Sequence, residues 1–216
     1  MGLAVATHVY ADALESGEYP DELEDHRSQL RALNELLIAE NFPPHQEATT
    51  RGPATARNHL GSVPYSFVHY LRRAYAHAHE NPTEPVTPTE PGEDPAADKA
   101  VDTLTYMFES HLLCHSDCEG YYVPVDFPDI LFPEDDLGLP GGMVGSSQAL
   151  LRELHYLAPF LGITLTDGEL PDTEIARIHA ETADDEHPLY RELVTWLLLH
   201  EAARVSVANN TLITFC

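Results

Sequence analysis

Positive charge is what this sequence has least of. Eleven lysines and arginines stand against 36 aspartates and glutamates in 216 residues, a net charge of −25, and Lys99 is the one lysine. Phosphate binding needs clustered basic side chains, so the composition argues against contact with nucleic acid and, in the same way, against an anionic membrane surface. What such a field favours is solubility and fast, salt-sensitive association with a basic protein partner. Adaptation to a saline cytoplasm would leave the same composition.

Cysteine is scarce and odd in number. Cys114, Cys118 and Cys216 do not make a disulfide framework, which points to reduced thiols and a cytoplasmic setting. Long apolar runs are missing too: nothing approaches the ~18 residues of a membrane span. The N-terminal stretch has neither the basic region nor the apolar run of a secretory signal. No internal repeat and no complete catalytic signature stand out, and the balance leans away from an enzyme.

What remains is an ordinary 43% apolar content in a chain long enough for one domain spanning 1–216. Residues 3–10 alternate as a strand. Residues 21–41 carry Leu23, Leu30, Leu33, Leu37 and Ile38 near helical spacing, and 65–79 follow Ser62 and Pro64 as a second helix. Residues 81–98, rich in proline and glutamate, read as a flexible, solvated loop. A short helix is expected over 100–110. Two strands, 111–115 and 121–127, then form a hairpin about a turn ending in Gly120. Helices over 147–161, 171–182 and 188–207 and a last strand over 211–216 complete the chain. The expected fold is α+β: a small, mostly antiparallel sheet with a central hairpin near 111–127, packed by about five helices. An exposed face on the last helix would allow a homo-oligomer.

The densest chemistry lies in that hairpin. His111, Cys114, His115 and Cys118 form an H-x2-C-H-x2-C run of zinc-ligand types. In an extended strand His111 and His115 share one face, and Cys118 joins them from the turn, while Cys114 points away. Asp117 and Glu119 flank Cys118 as a carboxylate pair at the turn. Gly141, Gly142, Gly145 and Ser146 precede a helix and could cradle an anion there, although the lysine of a phosphate-binding loop is missing. Two function classes follow. The leading one is a protein-binding module, in its concrete form an immunity-type inhibitor of a basic, nuclease-like bacterial toxin, since an acidic surface can imitate a nuclease's substrate. The alternative is a metal-dependent hydrolase or metal-stabilised protein built on His111, His115 and Cys118.

Overall fold

Alternating side chains set up the sheet, and a computed structural model of the chain describes residues 2–17, 20–134 and 137–216. The elements in order are β1 (Gly2–Thr7), α1 (Val9–Ser16), α2 (Pro20–Ala39), β2 (Ser62–Pro64), α3 (Tyr65–Glu80), α4 (Lys99–Thr105) and α5 (His111–Cys114). They continue with β3 (Gly120–Val123), β4 (Val144–Ser146), α6 (Ser147–Leu157), α7 (Asp172–Glu181), α8 (Tyr190–Asn209) and β5 (Ile213–Phe215). The strands lie in the order β2-β1-β5-β3-β4, antiparallel except for the parallel pair β3–β4. The chain forms a single compact α+β fold, as its composition of elements implies.

Three layers result from the period-two alternation. Leu3, Val5, Tyr122, Ile213 and Phe215 pack into one apolar cluster with α3, α6 and α8. Tyr121, Val123 and Val144 join a second cluster with Leu33, Leu36 and Leu37 of α2 and with Val125, Phe127, Leu131 and Leu139 of the segment after β3. Helix α8 is buried along most of its length, Trp196 included, whose indole N–H donates to the Leu154 carbonyl at 2.8 Å. It is buried on most sides because it lies among other helices, and polar residues such as Glu201 and Ser206 find partners inside.

The expected hairpin does not form. Residues 111–114 are a helix, and β3 pairs with β4 and β5 instead. The deciding groups come from far along the chain. At the start of α5 the Ser110 hydroxyl accepts from Leu113 N, and the Glu153 carboxylate accepts from His111 N at 2.8 Å and Leu112 N at 2.7 Å. At its end the buried Arg72 guanidinium donates to the carbonyls of Leu112 and His115. A carboxylate at the N-terminus and a guanidinium at the C-terminus satisfy the orphan groups of a short helix and suit its dipole.

Helix number was also underestimated: eight α-helices occur among the described residues, α1 and α5 being too short to show a period. The Pro/Glu-rich segment 81–98 is less detached than its composition implies. Val86 and Pro95 are buried, Val86 N bonds Phe160 O at 3.1 Å, and Asp98 meets His77 at 2.9 Å and Arg73 at 3.4 Å. Those anchors put it on the α3/α6 side of the sheet, away from α2.

Candidate functional site

The histidines of the expected metal site are structural pins. Within α5, His111 is fully buried; its Nδ1 accepts from Ser146 N at 2.9 Å and its Nε2 lies 3.0 Å from Pro128 O. One lone pair and one N–H are thereby committed, and the ring ties α5 to the end of β4. His115 stacks on Tyr122 at 4.0 Å, with its two ring nitrogens 2.9 and 3.0 Å from the carbonyls of Ser116 and Tyr121. Burial lowers its pKa to about 4. Cys118 is exposed, its Sγ 3.4 Å from Ser116 Oγ. The structure does not bring His111, His115 and Cys118 together as ligands. Among the described residues no group of three or more His, Cys, Asp or Glu side chains is placed to hold a metal ion.

The other two candidates are absorbed by packing in a similar way. Asp117 pairs with His69 at 3.0 Å, and Glu119 is exposed with its main-chain N near Ser116 Oγ. Gly145 lies flat against Tyr122, where a Cβ would fall 2.3 Å from the ring, and Gly141 (φ 76°) backs onto the Glu119 carbonyl. Their glycine character serves close approach, with Gly142 beside them in the same turn. Ser146 caps α6 by accepting from Ala149 N, which occupies the helix start that an anion would need.

A different surface stands out once the ion pairs are traced. On α2 the inner side, Leu33, Leu36 and Leu37, is buried, and Tyr121 donates to Gln29. Asp21, Glu22 and Asp25 in the first turns of the helix and Glu35 near its end are exposed, none with an ion pair among the described residues. Arg27 and Arg31, the basic residues of that helix, both turn to Glu24, at 3.6 and 3.1 Å. Asp21, Glu22 and Asp25 fall within about 6 Å of helix axis, and Glu35 lies about 15 Å farther on.

Exposed acidic residues also follow the helix end. Asn41 turns the chain at φ 65°, and Phe42 packs on Phe127 at 5.3 Å. Glu40 and Phe42 then face Pro128, Asp129, Ile130, Leu131 and Phe132 across a groove of about 300 Å³. Leu131 exchanges two main-chain hydrogen bonds with Val144, of 3.0 and 2.9 Å, so this acidic segment is fixed to the sheet edge. Asp129 and Glu134 are exposed there without ion pairs among the described residues; Asp126 pairs with Arg152 at 2.8 Å. The helix and the pinned loop thus both present exposed carboxylates without ion pairs among the described residues.

Residues 1–215 match the model of a family described as Putative DNA-mimic protein. The chain belongs to that family. No curated protein and no solved structure matches it. Membership as a DNA mimic carries a protein-binding role, the coarse form of the leading expectation. It corrects the partner expectation, which set nucleic acid aside and named any basic protein. The repulsion argument concerned contact between this chain and DNA and said nothing of the proteins that DNA contacts. For a DNA mimic those proteins are the partners, and nucleic acid enters as the thing imitated. As for the bilayer, no helix among the described residues is long and apolar enough to cross a membrane.

These exposed carboxylates were not singled out in the sequence because net charge does not say which of them lack a partner. One usable signal was there: residues 21–25 hold four acidic side chains in a helix whose apolar positions already fix its inner face.

Proposed function

We propose that this chain binds the DNA-binding site of a DNA-binding protein, presenting the exposed carboxylates of α2 together with Glu40, Asp129 and Glu134 where the phosphates would lie. The observation that carries this reading is membership of the DNA-mimic family, together with exposed carboxylates without ion pairs among the described residues on α2 and on the pinned loop. Such a surface steers a cationic groove into contact and competes with DNA for it.

The test is retention of a DNA-binding protein from an extract of the source cells on the immobilised chain, followed by elution with a duplex of about 20 base pairs. Release by the duplex at constant salt, and loss of retention when Asp25→Asn, Glu35→Gln, Glu40→Gln and Asp129→Asn are combined, is the expected result. Retention that ignores both would sink the reading. Its narrower form, an immunity-type inhibitor covering a toxic nuclease, adds one demand: the retained protein must cut DNA, and the chain must stop it at equimolar ratio.

A further inference from the structure

Beside the acidic groove the protein leaves several large apolar side chains in water. Tyr106, Met107 and Phe108, directly after α4, are 80%, 60% and 50% exposed, and Phe132 on the groove's rim is 49% exposed. The two phenyl rings meet edge to face, with centroids 5.5 Å apart. That contact joins the end of α4 to the pinned 126–134 loop, with Tyr106 and Met107 exposed immediately before Phe108.

Phe108 also holds a backbone conformation that disfavours it. Its φ is 54°, in the left-handed region, where a chain leaving a helix ordinarily uses glycine or asparagine. Bulky residues in that region are outliers, and such strain concentrates at functional positions. Here the strained residue is an aromatic ring held half in solvent, an arrangement that neither core packing nor turn chemistry asks for. The rim of the patch is acidic: Asp102 and Glu109 are exposed on the α4 side, and Glu40 and Asp129 border the groove that Phe132 lines.

We propose that Tyr106, Met107, Phe108 and Phe132 form an apolar anchor that docks at the edge of the partner's DNA-binding site, giving the mimic a contact that DNA does not make. The proposal rests on the DNA-mimic reading above. Charge complementarity selects the occupant. Two copies of this chain would bring like-charged rims together at a net −25 each, whereas a DNA-binding groove is cationic and offers arginine side chains, which stack on aromatic faces. Aromatic anchors ringed by polar groups are where interface energy concentrates. The division of labour is then physical: carboxylates govern association rate and salt dependence, and the anchor governs how long the complex lasts.

The experiment places the photo-crosslinker p-benzoylphenylalanine singly at positions 108, 132, 35 and 90 of the full chain. Position 35 reports the acidic helix, and position 90 lies in the Pro/Glu-rich segment, on the α3/α6 side of the sheet and away from α2. Irradiation in source-cell extract, with and without excess duplex DNA, should give the same DNA-binding protein as an adduct from 35, 108 and 132, lost when duplex is added, and not from 90. An adduct from 35 alone overturns the anchor and leaves the mimic reading standing. No duplex-sensitive adduct from 35 overturns both. An adduct of 108 to a second copy of the chain also overturns the anchor. Phe108→Gly separates binding from folding, because glycine relieves the left-handed strain. The melting temperature should hold or rise, affinity for the crosslinked protein should fall at least tenfold, and the slope of affinity against salt should not change. Unchanged affinity in that variant ends the proposal.

Discussion

Two carboxylate sets in this molecule are treated in opposite ways. Glu201, on α8, is fully buried and accepts from Arg57 N and Nη2, both at 2.8 Å, and from Arg204 Nη2 at 2.8 Å. Arg57 reaches on to Leu170 O and Asp172, and Arg204 to Thr55 O, so this one side chain ties the loop before β2 to the central helix. Burial by itself would raise the Glu201 carboxyl; hydrogen bonding and charge from His200, Arg204 and Arg57 outweigh it and hold the group well below the usual range. On α2, by contrast, Asp21, Glu22, Asp25 and Glu35 face water with no such partner among the described residues. Scarce arginine explains both. Arg51 is taken by Asp12, Arg73 by Asp98, Arg152 by Asp126 and Arg177 by Glu174 and Glu181. Arg72 is engaged by α5, and Arg191 stacks over Tyr70. Basic residues hold the fold together, and the excess negative charge is left on the outside.

The sharpest break in that contrast is Glu201→Gln. It leaves two guanidiniums facing a neutral amide, and removing one partner of a buried pair costs ~3 kcal/mol, a fall in melting temperature of roughly 6–12 °C for a chain of this size. The same change at exposed Glu35 should leave the melt within ~0.5 kcal/mol of the parent. Equal losses at the two positions would erase the distinction.

Next in size is pH. Burial pushes the Glu153 carboxyl up to about 7, against the three hydrogen bonds it receives from Ser110, His111 and Leu112. A raised carboxylate binds protons more readily folded than unfolded, so stability falls as pH rises from about 4.5 through 7, by ~3–4 kcal/mol in full. His115 acts in the other direction. Its pKa, lowered to about 4 by burial, means that the unfolded state takes up protons first, and stability rises with pH from about 4 to 6.5. The two oppose each other in the wild type. Glu153→Gln should remove the falling component and leave a profile that rises through this window. Denaturant midpoints at half-unit pH steps check it, and an unchanged profile would remove Glu153 from the account.

The fold was legible where the signal was local and long. The period of Leu23, Leu30, Leu33 and Leu37 gives α2 nearly to its ends, and α3, α7 and α8 follow from the same kind of pattern. It was illegible where distant groups decide. Residues 111–115 carry no period, and what makes them helical is Glu153 and Arg72, each about 40 positions away. Strands β2 and β4 have three residues each and exist through their partners. Ligand-type spacing in H-x2-C-H-x2-C gave no hint that both histidines face main-chain groups. The acidity of the surface was legible in the composition, but the free carboxylates were not, since Arg57 and Glu201 stand 144 positions apart. Phe108 fits a helical apolar face by spacing, and only the structure shows it in solvent at a positive φ.

The smallest effects test whether position matters beyond net charge. Neutralising Asp25, Glu35, Glu40 and Asp129 together should slow partner association about tenfold, or ~1.4 kcal/mol, and flatten its salt dependence, because steering follows the local field. These four avoid the first turn of α2, where Asp21 and Glu22 also favour the helix dipole. Neutralising Glu84, Glu90, Glu93 and Asp94 removes the same formal charge from the segment on the α3/α6 side. That segment packs on the α3/α6 side and not on α2, so the change should alter association by less than about twofold, because screening acts over about 8 Å at physiological salt. Stopped-flow rates at three salt concentrations separate the two variants. If both slow binding equally, the whole molecule's charge is the ligand and the α2 face has no special claim; if the first alone does, the unpaired carboxylates act as a placed surface.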